Sequence, residues 1–425
     1  TLIDNHGPFL HTDGNSWYEY RNGVWRPKNE DQMEIAAEQL LEGLTAEKKK
    51  GNVTDKQRRE VLAKAKVQPG VHIDHKQLNP NRNLLNFKNC MYDVDEDKTI
   101  PHDKSYLSTI RLPYNYCPDA TYQRWDRFML EVLPDDKIAR DFVQEFFGIC
   151  LFPVTKYQKF LILTGEGGNG KSVLLYVLKH LVGIKNCSFI SIDKMSEQFN
   201  AIMLRGKLLN IAPENESKVI RNTELLKGIT DGGEEITDSE KFQPQVSFVP
   251  YCRLIFSSNN MLKFADSSPA LRQRLRVISF EQSFRDTDAD DRDLKYWLVE
   301  NELPGILQWA LKGYKRLKER GHFEESPKMR EAADGVRRGG SSVFQFVDER
   351  CQTGRELSDG RQRLYYDYKI FCEDNGLKKM STQKFWNEMR RAVPHLEAPD
   401  NEKETINGRQ ERIVWGVCLK DEGLG

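Results

Sequence analysis

The chain has 425 residues, of which 38% are hydrophobic and 30% are charged, so it can form several domains of roughly 100–200 residues each. Its 64 Lys and Arg residues are balanced by 64 Asp and Glu residues. This balance excludes a chain-wide basic surface for nucleic acid, although local basic surfaces stay open. No apolar run approaches the roughly 20 residues of a membrane span, and no secretory signal begins the chain. We therefore expect no membrane partner.

The eight cysteines are widely spread and include no CxxC pair, which argues against a zinc ribbon or a disulfide framework. They are typical of reduced core thiols in a cytoplasmic protein. His72 and His75 could form a metal pair, but two histidines in a loop without nearby cysteines are more often surface residues.

The first part of the chain, residues 1–135, predicts a β-hairpin followed by a mostly helical domain. Aromatic residues alternate around Asn22-Gly23, a pair that favours a type I′ turn between two strands. Residues 31–66 have a helical composition. Lys and Arg exceed acids in residues 46–66, which predicts a solvated helix face or, alternatively, a nucleic-acid contact. Apolar residues at helical spacing then predict helix from Tyr122 to about Cys150.

The middle part, residues 136–325, predicts an α/β unit. Short apolar runs at Lys159–Thr164, Lys207–Ala212 and Cys252–Ser258 are separated by helical segments, a pattern typical of buried parallel strands. Residues 325–342 are typical of a linker. The last part, residues 343–425, predicts two helices and a hairpin with its turn at Asn407-Gly408.

The strongest motif follows the first of these strands and precedes a helical pattern. It matches G-x-x-x-x-G-K-[ST] and comprises Gly165, Glu166, Gly167, Gly168, Asn169, Gly170, Lys171 and Ser172. Glycines let backbone N–H groups surround a phosphate, and the helix N-terminus adds positive potential. Lys171 would reach the β- and γ-phosphates, and the Ser172 hydroxyl would bind Mg²⁺. This motif predicts a nucleoside triphosphate site.

Hydrolysis also needs a carboxylate near the loop, and polar residues end two later strands. Glu214 is the better candidate to polarise the attacking water, with Glu216 in reserve; both are candidate metal ligands, or else surface acids. Asn259 could sense the γ-phosphate and orient water, or simply form a turn. Of the arginines at 272–276, one could contact a neighbouring subunit's nucleotide, or all could be solvated.

In this order the motifs resemble those of superfamily 3 AAA+ helicases, in particular the helicase part of phage, plasmid and poxvirus primase–helicases. The resemblance covers residues 85–340 well and the flanks weakly. It rests on the loop Gly165–Ser172, the runs Leu208–Glu216 and Leu254–Asn260, and Arg274–Phe280. The chain departs from the family pattern at Pro213, where the family usually has the first of two adjacent acids, and at Gln273, where many relatives have arginine.

The resemblance implies an AAA+ motor with an N-terminal helical domain, which binds ATP and Mg²⁺ and forms a hexameric ring around DNA. Arg274 would then act in trans, with Arg272 as the alternative. A hairpin within Ile236–Val249 would line the pore, where Lys241 and Phe242 would grip one DNA strand. An exposed lysine on an ordinary surface hairpin is the alternative.

The last unit is winged-helix-like, with a helix around Leu364–Glu373, a second one at Ser381–Arg391 and a wing at Glu404–Cys418. Lys384, Arg390 and Arg391 could contact phosphates, as in helix-turn-helix variants. Basic and acidic residues are nearly balanced in this unit, so a protein contact is an equal alternative.

Together these features predict an ATP-dependent replicative DNA helicase acting on single strands and forks, as part of a phage or mobile-element protein in a bacterial host cytoplasm. A primase domain, if the parent protein has one, would lie upstream of Thr1. One alternative is a DNA-binding initiator in which ATP controls only assembly. A small-molecule kinase is the other, but no mobile Arg-rich lid is evident.

Overall fold

The structure is a computed structural model. It describes all residues except 1–7, 14–15, 49–52, 213–218, 221, 242–244, 260–261, 265, 267, 286, 288–289, 399–402, 407–408 and 421–425. The candidate site residues Glu214, Glu216 and Phe242 therefore lie outside the described residues, as do Pro213 and the turn Asn407-Gly408.

A small mixed sheet begins the chain, with strands in the spatial order β3-β2-β1-β4. The strands are β1 (Phe9–Thr12), β2 (Trp17–Arg21), β3 (Val24–Lys28) and β4 (His72–Ile73). The predicted hairpin is confirmed: Arg21 pairs with Val24, and Asn22 and Gly23 have φ of 53° and 78°. A type I′ turn requires positive φ at both central residues.

Two helices follow β3 and cover this sheet: α1 (Glu30–Lys48) and α2 (Asp55–Lys66). Met33 and Ala37 on α1 are fully buried against Trp17 of β2, which gives the N-terminal unit a small core of its own. The chain returns through β4, which pairs in parallel with β1.

A three-stranded antiparallel sheet connects this unit to the centre. It consists of β5 (Leu84–Asn86), β6 (Met91–Asp93) and β7 (Lys98–Ile100). Asn86 donates from Nδ2 to the carbonyl of Gly23 at 2.8 Å, so the sheet is held against the first hairpin.

The centre of the molecule is a five-stranded parallel sheet in the order β16-β8-β14-β10-β9, as the apolar runs predicted. Its strands are β8 (Phe160–Thr164), β9 (Cys187–Ser188), β10 (Leu209–Ala212), β14 (Arg253–Ser258) and β16 (Leu275–Ser279). Every residue of β8, β10 and β14 is buried, as expected of strands covered on both faces.

Helices pack on both sides of this sheet. They are α3 (Gln123–Val132), α4 (Lys137–Ile149), α5 (Lys171–Val182), α6 (Glu224–Asp231), α7 (Pro269–Arg274), α8 (Leu294–Asn301), α9 (Leu303–Arg320) and α10 (Pro327–Gly340). Short strand pairs lie at the periphery: β11 (Val219–Ile220) with β15 (Lys263–Phe264), and β12 (Ile236–Asp238) with β13 (Val246–Phe248).

Helix α4, which precedes the central sheet in the chain, packs closely against helix α9, which follows it. A Cβ added at Gly313 would lie 2.5 Å from the carbonyl oxygen of Gln144, so only glycine permits this approach. Glu145, whose side chain is 1% exposed, accepts from Arg316 at 2.7 Å and from Arg320 at 2.5 Å. Apolar packing and a buried ion pair therefore join the two helices.

One hydrophobic core extends from Leu85 to Met329 and includes Trp125, Phe128 and Met129 of α3. The domain boundary drawn from the sequence between residues 135 and 136 falls inside this core. At this boundary Asp136 caps α4 by accepting from Ala139 N.

The C-terminal unit contains the predicted helices and hairpin. Its elements are α11 (Ser342–Arg350), β17 (Cys351–Gly360), α12 (Arg361–Asp374), α13 (Thr382–Ala392), β18 (Lys403–Ile406) and β19 (Arg409–Leu419). Strands β18 and β19 pair antiparallel, with Ile406 opposite Arg409. A separate core, centred on Phe346, Tyr368 and Phe385, holds the unit together.

The eight cysteines are free; the predicted core position is confirmed for five of them, whereas Cys117 is exposed and Cys90 and Cys418 are half-buried. In the described part of the chain, no helix combines the length and the apolar character that a membrane crossing needs.

Candidate functional site

The phosphate loop, Gly165–Ser172, connects the end of β8 to the start of α5. Gly165, Gly168 and Gly170 have φ of 142°, 81° and 87°, a region that side chains with a Cβ rarely adopt. A Cβ at Gly165 would also lie 2.3 Å from the Phe280 carbonyl oxygen. The glycines therefore provide both the turn and the close packing of a loop that fits a phosphate chain.

Lys171 is 4% exposed and points back into the loop. Its Nζ donates to the carbonyl of Gly165, to that of Glu166 at 3.3 Å and to Asn169 Oδ1 at 3.0 Å. Asn169 is itself held by a 3.2 Å bond from Nδ2 to the Phe280 carbonyl. An ammonium group thus lies inside the loop, where an anion would meet a positive charge and the N-terminus of α5.

Ser172 is exposed and is the second residue of α5, directly after Lys171. Asn259 is also exposed and directly follows Ser258, whose partner in the ladder is Thr164. Because Thr164 precedes Gly165, Asn259 lies beside the beginning of the phosphate loop. The structure therefore brings Lys171, Ser172 and Asn259 to one edge of the sheet.

The chain after β16 runs along the phosphate loop. Phe280 N donates to the Thr164 carbonyl at 2.8 Å, and Phe284 N donates to the Gly168 carbonyl at 2.8 Å. Arg285 then lies against the loop: a Cβ added at Gly167 would be 2.8 Å from its Nη2. The sequence analysis did not single out Arg285, because its proximity depends on the sheet order rather than on a local motif.

Arg274 lies directly before β16, at the amino ends of the parallel strands, whereas the phosphate loop follows their carboxyl ends. Its Nη2 contacts Asp231 Oδ1 at 2.5 Å, its Nη1 donates to the Ala270 carbonyl at 3.1 Å, and its side chain is 14% exposed. Five strand residues, or about 16 Å, separate this end from the loop edge. Arg274 is thus remote from the phosphate loop of its own chain. Arg272 is more exposed, with Asp334 at 3.9 Å.

Lys159 joins Arg274 at that end of the strands, because the following residues Phe160 and Leu275 are ladder partners. Partial burial, together with the nearby positive charges of Arg276 and Arg274, lowers the pKa of Lys159 to about 8. Two acids accompany these three cations: Asp231, bound to Arg274 at 2.5 Å, and Glu325, 3.7 Å from Arg276. Lys159 was not predicted as a site residue. The feature that could have indicated it is a lysine directly before the first apolar strand.

The hairpin predicted within Ile236–Val249 is confirmed. Ile236 pairs with Phe248 and Asp238 with Val246, and Lys241 lies exposed in the connecting turn. The Asp238 carboxylate anchors the base of the hairpin by accepting from Ile202 N at 2.9 Å. No contact in the described residues links Lys241 to the phosphate loop.

The C-terminal helix α13 presents its basic residues at two places. Lys384 and Arg391 line a cleft of about 990 Å³ between this helix and central-unit residues such as Lys227 and Asp266. Arg390 is exposed and donates from Nη1 to Asn387 Oδ1 at 3.4 Å. Arg391 is paired with Glu388 at 2.5 Å, which reduces the charge available for another partner.

His72 does not pair with His75 in a metal-like group. Among the described residues, the group with metal-ligand spacing is Asp13, Asp74 and His75, of which the two acids are exposed and the histidine is half-buried. His75 already binds Asp13 through its backbone N and ring Nδ1, both at 2.9 Å. These bonds give the cluster a structural role, because they connect the end of β1 to the turn after β4.

Two family models match parts of the chain. The model described as D5 N terminal like matches residues 2–134, and a family of unknown function, DUF5906, matches residues 163–274, which include the phosphate loop and Arg274. Each covers less than half of the chain.

Similar curated proteins come from large DNA viruses and carry helicase names. "Putative helicase L207/L206" of Acanthamoeba polyphaga mimivirus is 26% identical over 53% of this chain and 25% of its own length. "Putative helicase 121R" of Invertebrate iridescent virus 3 is 25% identical over 53% of this chain and 26% of its own length. The matched region is about a quarter of the length of these relatives.

Solved structures of the NrS-1 C-terminal region match nearly the whole chain. One apo form is 12% identical, with a TM-score of 0.54 over 96% of both chains. Another is 14% identical, with a TM-score of 0.52 over 98% of both chains. The mixed α/β architecture with its parallel sheet is therefore shared with the NrS-1 C-terminal region, from the first hairpin to the C-terminal unit.

Proposed function

We propose that this chain is the motor of an ATP-dependent DNA helicase of superfamily 3 type, which translocates on single-stranded DNA as a ring. The observation that carries the proposal is the position of Lys171, buried inside a glycine-rich loop between a parallel strand and a helix N-terminus. The helicase names of the viral relatives support the choice of activity.

In this proposal the residues at the loop edge hydrolyse ATP. Lys171 and the loop N–H groups bind the β- and γ-phosphates, and Asn259 orients the attacking water. The carboxylate of Glu214 or Glu216 accepts a hydrogen bond from that water and so polarises it. The water oxygen bonds to the γ-phosphorus as the bond to the bridging oxygen breaks, which leaves ADP and phosphate. Mg²⁺, with Ser172 as a ligand, would neutralise part of the phosphate charge.

The cations at the amino ends of the strands support assembly into a ring. Lys159 lies beside Arg274, which is bound to Asp231, and Arg276, which lies near Glu325; because both arginines lower the pKa of Lys159, a further anion there would be stabilised. Arg274 is too far from the loop of its own chain to assist it. We therefore assign Arg274 to the nucleotide of a neighbouring subunit, in a homo-oligomer expected to be a hexamer.

The exposed hairpin β12–β13 is the element proposed to contact DNA. Lys241 would attract backbone phosphates, and Phe242 would pack against a sugar or base. The basic helix α13 and a primase domain elsewhere in the parent protein are further proposed partners of the motor.

The experiment that tests the function is phosphate release with and without single-stranded DNA, compared with strand displacement on a fork. Strong stimulation by DNA, with ATP-dependent displacement, is the expected result. ATP binding without turnover would instead favour the replication initiator in which ATP controls assembly. Turnover that is indifferent to DNA would contradict the motor.

A further inference from the structure

Arg285 is a charged side chain at the phosphate loop that the hydrolytic site described above does not use. It is exposed, and it makes no hydrogen bond or ion pair within the described residues. Its guanidinium is nevertheless close to the loop, with Nη2 2.8 Å and Cζ 3.5 Å from the position of a Gly167 Cβ. A cation without a partner beside an anion-binding loop is a candidate ligand for that anion.

The backbone before Arg285 is fixed to the loop at several points. Phe280 N donates to the Thr164 carbonyl, Asn169 Nδ2 donates to the Phe280 carbonyl, and Phe284 N donates to the Gly168 carbonyl. These bonds have lengths of 2.8, 3.2 and 2.8 Å. The position of Arg285 is therefore set by the loop itself, and only its side chain has to move when a ligand enters.

The glycines of the loop are consistent with this close approach. Gly167 is not among the residues with positive φ, so its backbone conformation is open to any residue. A side chain at Gly167 would nonetheless meet the Arg285 guanidinium, and one at Gly168 would lie 2.8 Å from Arg285 Cβ. The contact at Gly167 involves the far end of the Arg285 side chain, so the guanidinium occupies the space directly beside the loop backbone.

We propose that Arg285 binds the terminal phosphate of ATP in the same subunit as Lys171. This inference rests on the proposed function, because it assumes that the loop binds a nucleoside triphosphate. A planar guanidinium can donate two parallel hydrogen bonds to phosphate oxygens, and it stays charged at every working pH. Arg285 would thus complement Lys171 from the open side of the loop, whereas Arg274 acts from the neighbouring subunit.

The test is equilibrium binding of ATP, ADP and AMP to the full chain, measured by calorimetry. Arg285→Ala should weaken ATP binding about tenfold, because hydrogen bonds to charged groups are worth that much. The loss should be smaller for ADP and absent for AMP. Arg285→Lys should recover part of it, and Arg292→Ala, at an exposed arginine nearby, should bind as the wild type. Unchanged ATP affinity in Arg285→Ala overturns the proposal.

Gly167→Ala provides a second, independent variant. Its added methyl should displace the Arg285 side chain, so it should weaken ATP binding in the wild type and much less in an Arg285→Ala background. Additive losses would mean that the two residues do not act together. Failure of the wild type to bind ATP would contradict the proposed function itself. Binding that needs Lys171 but ignores Arg285 would contradict only the present inference.

Discussion

At the scale of single residues, Lys171 is the side chain on which turnover depends most. Lys171→Ala should reduce ATP turnover by about 10²–10³, because charge developing on the phosphate loses its main partner. Phosphate release under saturating ATP is the measurement. Lys179→Ala, on the same helix but facing Tyr176, should retain activity. If Lys171→Ala retained more than about a tenth of wild-type turnover, the active site would not be at this loop.

Lys159 makes stability depend on pH. Its folded pKa of about 8 is below its ordinary value of 10.5, so between these values the unfolded chain binds more protons. Stability should therefore rise with pH across that window, and the penalty is fully present below pH 8. Urea unfolding should show Lys159→Met to be stabilising at pH 7, with the difference from wild type shrinking by about pH 10. Exposed Lys156→Met is the control; an equal difference at both pH values would refute the assignment.

At the scale of elements, the hairpin β12–β13 carries the proposed grip on DNA. Lys241→Ala should leave basal ATP turnover nearly intact, because this hairpin is a strand pair separate from the five-stranded sheet that carries the phosphate loop. Stimulation by single-stranded DNA and fork unwinding should both collapse. Lys185→Ala, at another exposed lysine, should keep both activities. Equal losses of basal turnover and unwinding would remove Lys241 from this role.

The close packing of α4 against α9 predicts that a substitution at one glycine lowers the stability of the fold. Gly313→Ala should destabilise the protein by about 1–3 kcal/mol, because the methyl group would strike the Gln144 backbone. Gly43→Ala is the matched control: it lies in helix α1 with no atom within 4 Å of the new Cβ, so it should be neutral or slightly stabilising. The free energy of chemical unfolding of both variants distinguishes the effect of packing from that of helix propensity. Equal changes in this free energy would contradict the close contact between α4 and α9.

The elements that the sequence predicted well are those whose signal is local. The Asn22-Gly23 turn, the loop Gly165–Ser172 and the buried strands each depend on a few consecutive residues. Contacts between distant segments left no such signal. Arg285 reaches Gly167 only because β16 lies beside β8, and β4 pairs with β1 after two intervening helices. The shared core around residue 135 had no local signal for the same reason: the ring of Trp125 packs against Trp309 of α9, far along the chain.

At the scale of the whole molecule, a ring with shared sites predicts complementation. Arg274→Ala and Lys171→Ala should each be nearly inactive, yet a mixture should regain ATP turnover. Some interfaces would pair an intact phosphate loop in one subunit with an intact Arg274 in its neighbour, and such contacts are worth about 10³–10⁵ in rate. Titration of one variant against the other, with phosphate release as the signal, is the measurement.

The control for this mixture is proof that subunits exchange, obtained with differently labelled wild-type chains. With exchange established, turnover that never exceeds the sum of the two variants would place Arg274 outside any neighbouring site. Its bond to Asp231 in the isolated chain would then be a purely structural contact.

The continuous core from Leu85 to Met329 has a consequence for which segments of this fold can be exchanged with those of another protein. A recombination event that joined a foreign partner at residue 136 would discard Trp125, Phe128 and Met129 and leave their apolar neighbours on α4 and α9 open to water. Such a chimera would aggregate rather than work. The segments that flank the sheet must therefore travel with it, so evolution can add modules outside this block but cannot exchange the sheet alone.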